Sequence, residues 1–349
     1  MTLSIINQPN LILLIKFLTL SLLVLFLIKI TRPVFIKRNW LDHSNDRKKH
    51  LGSIPLNGGL SMFFGLFVGL ILIVNNYTNY KLLIICSAFI FLLGLLDDVK
   101  ELSHNIRILA QIFICLFAFS YGPIQINTFG DIFGIGVLEF DRLSVIITVL
   151  ALMAGMNSFN LIDGIDGLAS GTAIIAFSSI LFLANQANVV EIINISLLYL
   201  SVLIPFFCIN ISNQKVFMGD SGSLFIGLGI AWFLIEYSQG NNVIIKPVTA
   251  LWIFAIPLFD IISVIICRIK AGLSPFKSDD SHIHFQIIKV MKITSKQTML
   301  LLIFISSVIS FTGVFLQLND VPEWVMFFSL FGLLIFYIWA LFSMKKSGV

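Results

Sequence analysis

The chain has 349 residues, 58% of them hydrophobic and 11% charged, with a net charge of +4. So few polar side chains cannot cover a water-exposed globule of this length, which excludes a soluble enzyme and implies an integral membrane protein. The small basic excess sits in loops that flank apolar runs, where it reads as membrane anchoring and gives no ground for a nucleic-acid partner.

In chain order, eleven apolar runs approach the roughly 17–25 residues a helix needs to cross a bilayer core. They lie near residues 11–30, 58–74, 80–96, 107–121, 143–157, 170–185, 189–209, 223–238, 247–267, 298–316 and 324–343. The first lacks a basic start and a small-residue cleavage site, so it reads as a retained helix. Lys and Arg crowd the loop after the first run (Arg32, Lys37, Arg38, Arg47, Lys48, Lys49) and the loop after the ninth (Arg268, Lys270, Lys277, Lys289, Lys292, Lys296). Lys100, Arg107, Lys215, Lys345 and Lys346 share that side, against Lys81, Arg142 and Lys246 on the other. The positive-inside bias then predicts an all-α polytopic bundle of about 11 spans, one domain over residues 1–349, with the N-terminus periplasmic and the C-terminus cytoplasmic. Cys86, Cys115, Cys208 and Cys267 all fall in apolar spans without zinc-ligand spacing and read as packing residues.

Five loops then share the cytoplasmic side, and each holds a polar cluster: LDHSNDRKKHLGSIPLNGG (41–59), LLDDVKELSHNIR (95–107), NSFNLIDGIDGLASG (157–171), NISNQKVFMGDSGS (210–223) and RIKAGLSPFKSDDSHIHFQ (268–286). The opposite loops read as short or plain, as in NNYTNY (75–80) and SQGNN (238–242), so the polarity predicts a one-sided active site. Asp46 and Glu101 read equally well as solvated loop charges. Asp97, Asp98, Asp163, Asp166 and Asp220 do not, because a carboxylate at the apolar end of a span is costly without a partner. Asp97 and Asp98 are adjacent, so either one holds a raised pKa or a cation holds the two together; one can act as a base while the other supports a metal. Gly219 to Ser223 opens the eighth span, offering backbone N–H groups to an anion, with Asp220 beside them as an oxygen ligand for Mg²⁺. His282 and His284, two residues apart, suit donation to phosphate or sugar oxygens better than zinc binding. Asp260, in the middle of the ninth span, reads as a structural hydrogen-bonding group inside the bundle.

Taken in this order, RKKHLGSIPLNGG, GLLDDVKELS, NSFNLIDGIDGLASG, VFMGDSGS and SPFKSDDSHIH resemble the polyprenyl-phosphate N-acetylhexosamine-1-phosphate transferases of bacterial inner membranes. Within that family they look most like the undecaprenyl-phosphate N-acetylglucosamine-1-phosphate branch, which starts O-antigen, enterobacterial common antigen and teichoic acid linkage synthesis. The resemblance implies a multi-pass protein of the cytoplasmic (inner) membrane that takes UDP-N-acetylglucosamine, or a related UDP-N-acetylhexosamine, and undecaprenyl phosphate. It implies Mg²⁺ dependence, with Mn²⁺ as a substitute, and leaves a homodimer open. Residue by residue, it implies Asp220 as principal Mg²⁺ ligand with Asp98 assisting, and Asp97 or Asp98 as the group that deprotonates or orients the lipid phosphate. Single and double displacement both remain open. Asn157, Asn160 and Asp163 would contact the nucleotide, Asp166 and the nearby glycines would support that pocket, Asn210 and Phe217 would hold uridine, and Lys48, Lys49 and His50 would contact phosphate.

Two departures stand out. Asp280 replaces an arginine of the branch pattern and Phe285 replaces its third histidine, which leaves the amino sugar open. The branch that transfers phospho-N-acetylmuramoyl-pentapeptide carries a triple-histidine run that HIHFQ does not match. A transporter of lipid-linked or nucleotide-linked sugar is the competing class. It calls for a site near the midplane and internal repeats, for which only Asp260 speaks.

Overall fold

The computed structural model describes residues 8–42, 53–73, 80–240, 243–274 and 281–347. These form α1 (Gln8–Lys37), a two-residue ladder of β1 (Leu41–Asp42) with β2 (Ile54–Pro55), and then α2 (Gly58–Ile73), α3 (Lys81–Lys100), α4 (His104–Tyr121), α5 (Ser144–Ile162), α6 (Leu168–Gln186), α7 (Val190–Asn210), α8 (Gly219–Glu236), α9 (Pro247–Ile253), α10 (Ala255–Lys270), α11 (Ile283–Met291), α12 (Ser295–Leu318) and α13 (Glu323–Ser347). Every predicted span coincides with a helix. Eight helices are long and apolar enough to cross a membrane, and the α9–α10 pair makes a ninth if it counts as one crossing. The other two predicted spans are α2, only 16 residues long, and α8, which has an acidic residue near each end.

The ninth span is broken by 79°. Pro257 lacks the N–H that would bond the Ile253 carbonyl, and its ring clashes with the turn before it, so the helix stops at Phe254 and restarts. Distance along the chain from residue 247 to 267 is therefore not depth in a membrane, and "mid-span" misdescribes Asp260, which lies just past the break.

α8 is the central element, buried continuously from Ser221 to Ile235 and packed chiefly on α3 and α5. Large apolar side chains point outward instead on α1 (Leu22, Phe26), α4 (Phe113) and α13 (Phe336, Trp339), each more than half exposed. Such faces are stable only against lipid. Because lipid tails supply no hydrophobic drive for helix association, close packing and polar contacts must do that work. Gly155 of α5 accordingly sits against Gly227 and Ala231 of α8, and Ser179 of α6 shares a 2.8 Å hydrogen bond with Ser310 of α12.

One connection on the face opposite the aspartates departs from the reading of those loops as plain. Residues 122–143, between α4 and α5, form a bridge from Thr128 to Glu139, and Gln239 accepts the N–H groups of Asn127 and Thr128 at 3.0 and 3.2 Å. Asp131 N–H donates to Glu323 at the start of α13, at 3.1 Å. A run of glycines and apolar residues hid these long-range partners.

Candidate active site

The last turn of α3 is pressed onto the first turn of α8. A Cβ on Gly94 would lie 2.5 Å from Asp220 O and from the backbone of Ser221, so only glycine admits this approach. One turn later, Asp98 accepts the N–H of Asp220 through Oδ1 at 2.7 Å and that of Ser221 through Oδ2 at 3.1 Å. The start of α8, expected to be available to a ligand anion, is thus occupied by a carboxylate of the chain itself. The helix N-terminus attracts negative charge, and Asp98 is the nearest source.

Asp97 points elsewhere. Its Oδ1 accepts Leu102 N–H at 2.8 Å and its Oδ2 accepts Arg107 Nη1 at 2.5 Å. The same Nη1 reaches Asp220 Oδ2 at 3.1 Å, while Asn160 Nδ2 donates to Asp220 Oδ1 at 2.6 Å and to Ser223 Oγ at 3.1 Å. Two carboxylates, Asp97 and Asp220, therefore share one guanidinium, and Asp98 lies behind Asp220 on the α8 backbone. Arg107 Nε is buried and has no hydrogen-bond partner among the described residues.

Among the described residues, no three of His, Cys, Asp and Glu are disposed as ligands around one point. The donor chemistry nonetheless suits a hard dication: the groups are carboxylate oxygens, their charge exceeds that of the single arginine, and the Asp220 side chain is 30% exposed. Asp220, with Asp98 behind it, is the residue that could hold such an ion.

α5 ends at Ile162 and α6 begins at Leu168, so DGIDG (163–167) is the turn between two spans. Asp166 in that turn pairs with Lys215 at 2.8 Å, and Lys215 Nζ lies 5.7 Å from the centre of the Phe217 ring. Phe217 is held extended by its N–H to Pro55 O and by Gly58 N–H to its own carbonyl, both at 3.0 Å. Asp163 caps the end of α5 and is half-buried. Asn210 is the other residue expected to hold uridine. It is buried, with Oδ1 accepting Gly167 N–H at 2.6 Å and Nδ2 donating to Val216 O at 2.8 Å, so it ties the turn to the loop before α8 and forms the wall's backing. Asn157 likewise donates to Gln111 Oε1 and Met153 O, both at 2.8 Å, joining α5 to α4. Lys48, Lys49 and His50 lie outside the described residues, as does Asp280.

The histidines sit at the start of α11. His282 Nδ1 is 2.6 Å from Asp260 Oδ2, and the His284 ring stacks on it at 5.7 Å and 13°. Phe285, in the position of the absent third histidine, packs on His284 at 4.1 Å between ring centres. His284 is fully buried beside Gly164, and neither ring nitrogen has a hydrogen-bond partner among the described residues. Burial pushes its pKa down to about 4, with His282 adding to the fall and Asp260 opposing it. The folded chain therefore keeps this ring neutral while the unfolded chain takes up a proton below the usual value near 6.5, so stability declines as pH falls from about 6.5 to 4. The full effect is ~3 kcal/mol. Thermal unfolding in detergent should show a midpoint that drops between about pH 7 and 5, and His284→Leu should flatten that slope; equal slopes would refute the assignment.

Arg107 and Gln111 carry functional contacts that the sequence reading left out, having used Arg107 only to orient the bundle. The available signal was their i, i+4 spacing, which puts two polar side chains on one face at the start of an apolar helix.

The model of glycosyl transferase family 4 matches residues 80–238, the stretch that carries Asp97, Asp98, Arg107, Asn160 and Asp220. The chain is 33% identical over 302 residues to the undecaprenyl-phosphate alpha-N-acetylglucosaminyl 1-phosphate transferase of Yersinia pestis, covering 85% of this chain and 82% of that protein. The protein of the same name from Escherichia coli strain K12 is 33% identical over 300 residues, covering 84% and 82%. That of Haemophilus influenzae is 35% identical over 314 residues, covering 87% of both.

Proposed function

This chain belongs to glycosyl transferase family 4, among the polyprenyl-phosphate N-acetylhexosamine-1-phosphate transferases, and from that premise we propose that it transfers N-acetylglucosamine-1-phosphate to undecaprenyl phosphate. The donor is UDP-N-acetylglucosamine and the second product is UMP. The protein lies in a bacterial cytoplasmic membrane with its N-terminus outside and the aspartate face inside, an orientation supported by the distribution of Lys and Arg. The observation that carries the reading is the meeting of Arg107 with Asp97 and Asp220, and of Asp220 with Asn160 and Asp98, within the stretch matched by the family model.

The reaction joins a lipid-phosphate oxygen to the sugar-bearing phosphorus and breaks the bond from that phosphorus to its bridging oxygen, which leaves with UMP. Both reactants are anions, so the barrier is mainly electrostatic. Mg²⁺ held by Asp220, with Asp98 in support, neutralises phosphate charge when bound. Arg107 directs its unpartnered Nε toward a phosphate oxygen, and Asp97, one guanidinium away, accepts or orients the lipid-phosphate proton. Both oxygens of Asp97 and of Asp98 accept hydrogen bonds within the fold, and Asp97 is set apart by its contact with Arg107. Asn160 fixes the Asp220 carboxylate. Phe217, steadied through Lys215 and Asp166, offers a ring for uracil to stack on, and His282 faces the sugar phosphate.

Purified protein with Mg²⁺ is expected to release UMP from UDP-N-acetylglucosamine only when undecaprenyl phosphate is added, as read by chromatography of the nucleotides. A panel of UDP-N-acetylhexosamines identifies the sugar. No release from any of them would sink the reading. A transporter is disfavoured by the structure's treatment of Asp260, which is engaged by His282 and so is not a free midplane group.

A further inference from the structure

We propose that Asp260 and Tyr337 are positioning residues that fix the tautomer of His282, bringing α13 into the proton chemistry of the site. The inference rests on the reading that His282 meets substrate oxygens. Asp260 is almost wholly enclosed, and both of its oxygens are in use. Oδ1 accepts the N–H of Ile283 at 3.0 Å and the hydroxyl of Tyr337 at 3.2 Å, while Oδ2 lies 2.6 Å from His282 Nδ1.

An ionised carboxylate can only accept, so the His282 proton facing it belongs on Nδ1 whether the ring is neutral or charged. Nε2 is then the nitrogen that gains and loses a proton, an acceptor when the ring is neutral and a donor when it is charged. The same carboxylate takes the first N–H of α11, so the helix that carries the histidines and the ring orientation are set by one group. α13 grips this assembly twice, through Tyr337 and through Lys345, which donates to Ser281 at 2.7 Å. Among the described residues, the other titratable groups facing the pair are His284 on α11 and Tyr337 on α13, with Lys345 one hydrogen bond away on Ser281.

Two substitutions move the chemistry in opposite directions. In Asp260→Asn, the two donors to Oδ1 hold the amide oxygen in place and turn Nδ2 toward the ring. Nδ1 must then accept, the proton moves to Nε2, and the imidazolium loses its counter-charge. The expected result is a fall in kcat of ~10²–10⁴-fold, with the limb of log kcat/KM that reports His282 displaced to lower pH. Tyr337→Phe removes one donor from the carboxylate and leaves it a stronger partner, so the same limb should move to higher pH with only a few-fold loss in rate. Nitrogen-15 NMR of the histidine rings tests the tautomer without turnover: Nδ1–H in the wild type and Nε2–H in Asp260→Asn. If both limbs stay at the wild-type position and the ring nitrogens show no change, the proposal is overturned. If Asp260→Asn does not fold, the direction of the Tyr337→Phe limb decides. A wild-type protein that releases no UMP would instead overturn the function, while the NMR result would still stand or fall by itself.

Discussion

Asp220→Asn is expected to lower turnover by at least ~10³-fold, the scale on which a preorganised electrostatic group contributes to a transition state that gathers charge. The geometry explains why so small a change is so damaging. Asp220 receives Asn160 Nδ2 on one oxygen and Arg107 on the other, so an amide at this position must turn its NH₂ toward one of two donors. One contact becomes repulsive, and the charge that would hold a dication is gone. Residual rate should also depend less steeply on Mg²⁺ concentration. Initial rates of UMP release across a Mg²⁺ series test this, and a rate within about tenfold of wild type would refute the role given to Asp220.

The second large effect is expected at a residue that carries no charge itself. Gly94→Ala places a methyl group where the Asp220 carbonyl and the Ser221 backbone already stand. Side chains could rotate away from such a contact, but backbone cannot, so α3 must lift from α8. Overpacking of this kind costs ~1–3 kcal/mol in stability. A shift of about 1 Å between Asp98 and the start of α8 costs ~10²-fold in rate. The expected variant is therefore a folded protein with a modestly lowered unfolding midpoint and a rate reduced out of proportion. Unchanged turnover would mean that the approach of the two helices does not set the site.

Much of this was legible in the chain. Apolar runs between charged loops mark the spans, because each span must satisfy its own backbone in lipid. The aspartates stood out because carboxylates at the ends of such runs are expensive to keep. Which of them would meet was not legible. Asp97 and Asp98 are neighbours in sequence, yet one faces Arg107 and the other the α8 backbone, and that division is made by the pressing of Gly94 against Ser221. Asn210 enters through the family resemblance, and the backbone partners of its amide, Gly167 and Val216, are not visible in sequence. Asp260 is the buried hydrogen-bonding group its place in an apolar run suggests, but its partners on α11 and α13 and the 79° break before it are not visible in that run.

The hydrogen bonds from the start of α8 to Asp98 join residues 122 and 123 positions apart. Contacts of such separation close late in folding, after the helices themselves have formed. A chain whose helices have all inserted but whose α3 and α8 have not docked would give nearly the full helical signal in circular dichroism and no catalysis. Helical content is thus a blind reporter of quality for this protein. Preparations, detergents and variants are better ranked by whether activity per molecule and near-ultraviolet signal rise together.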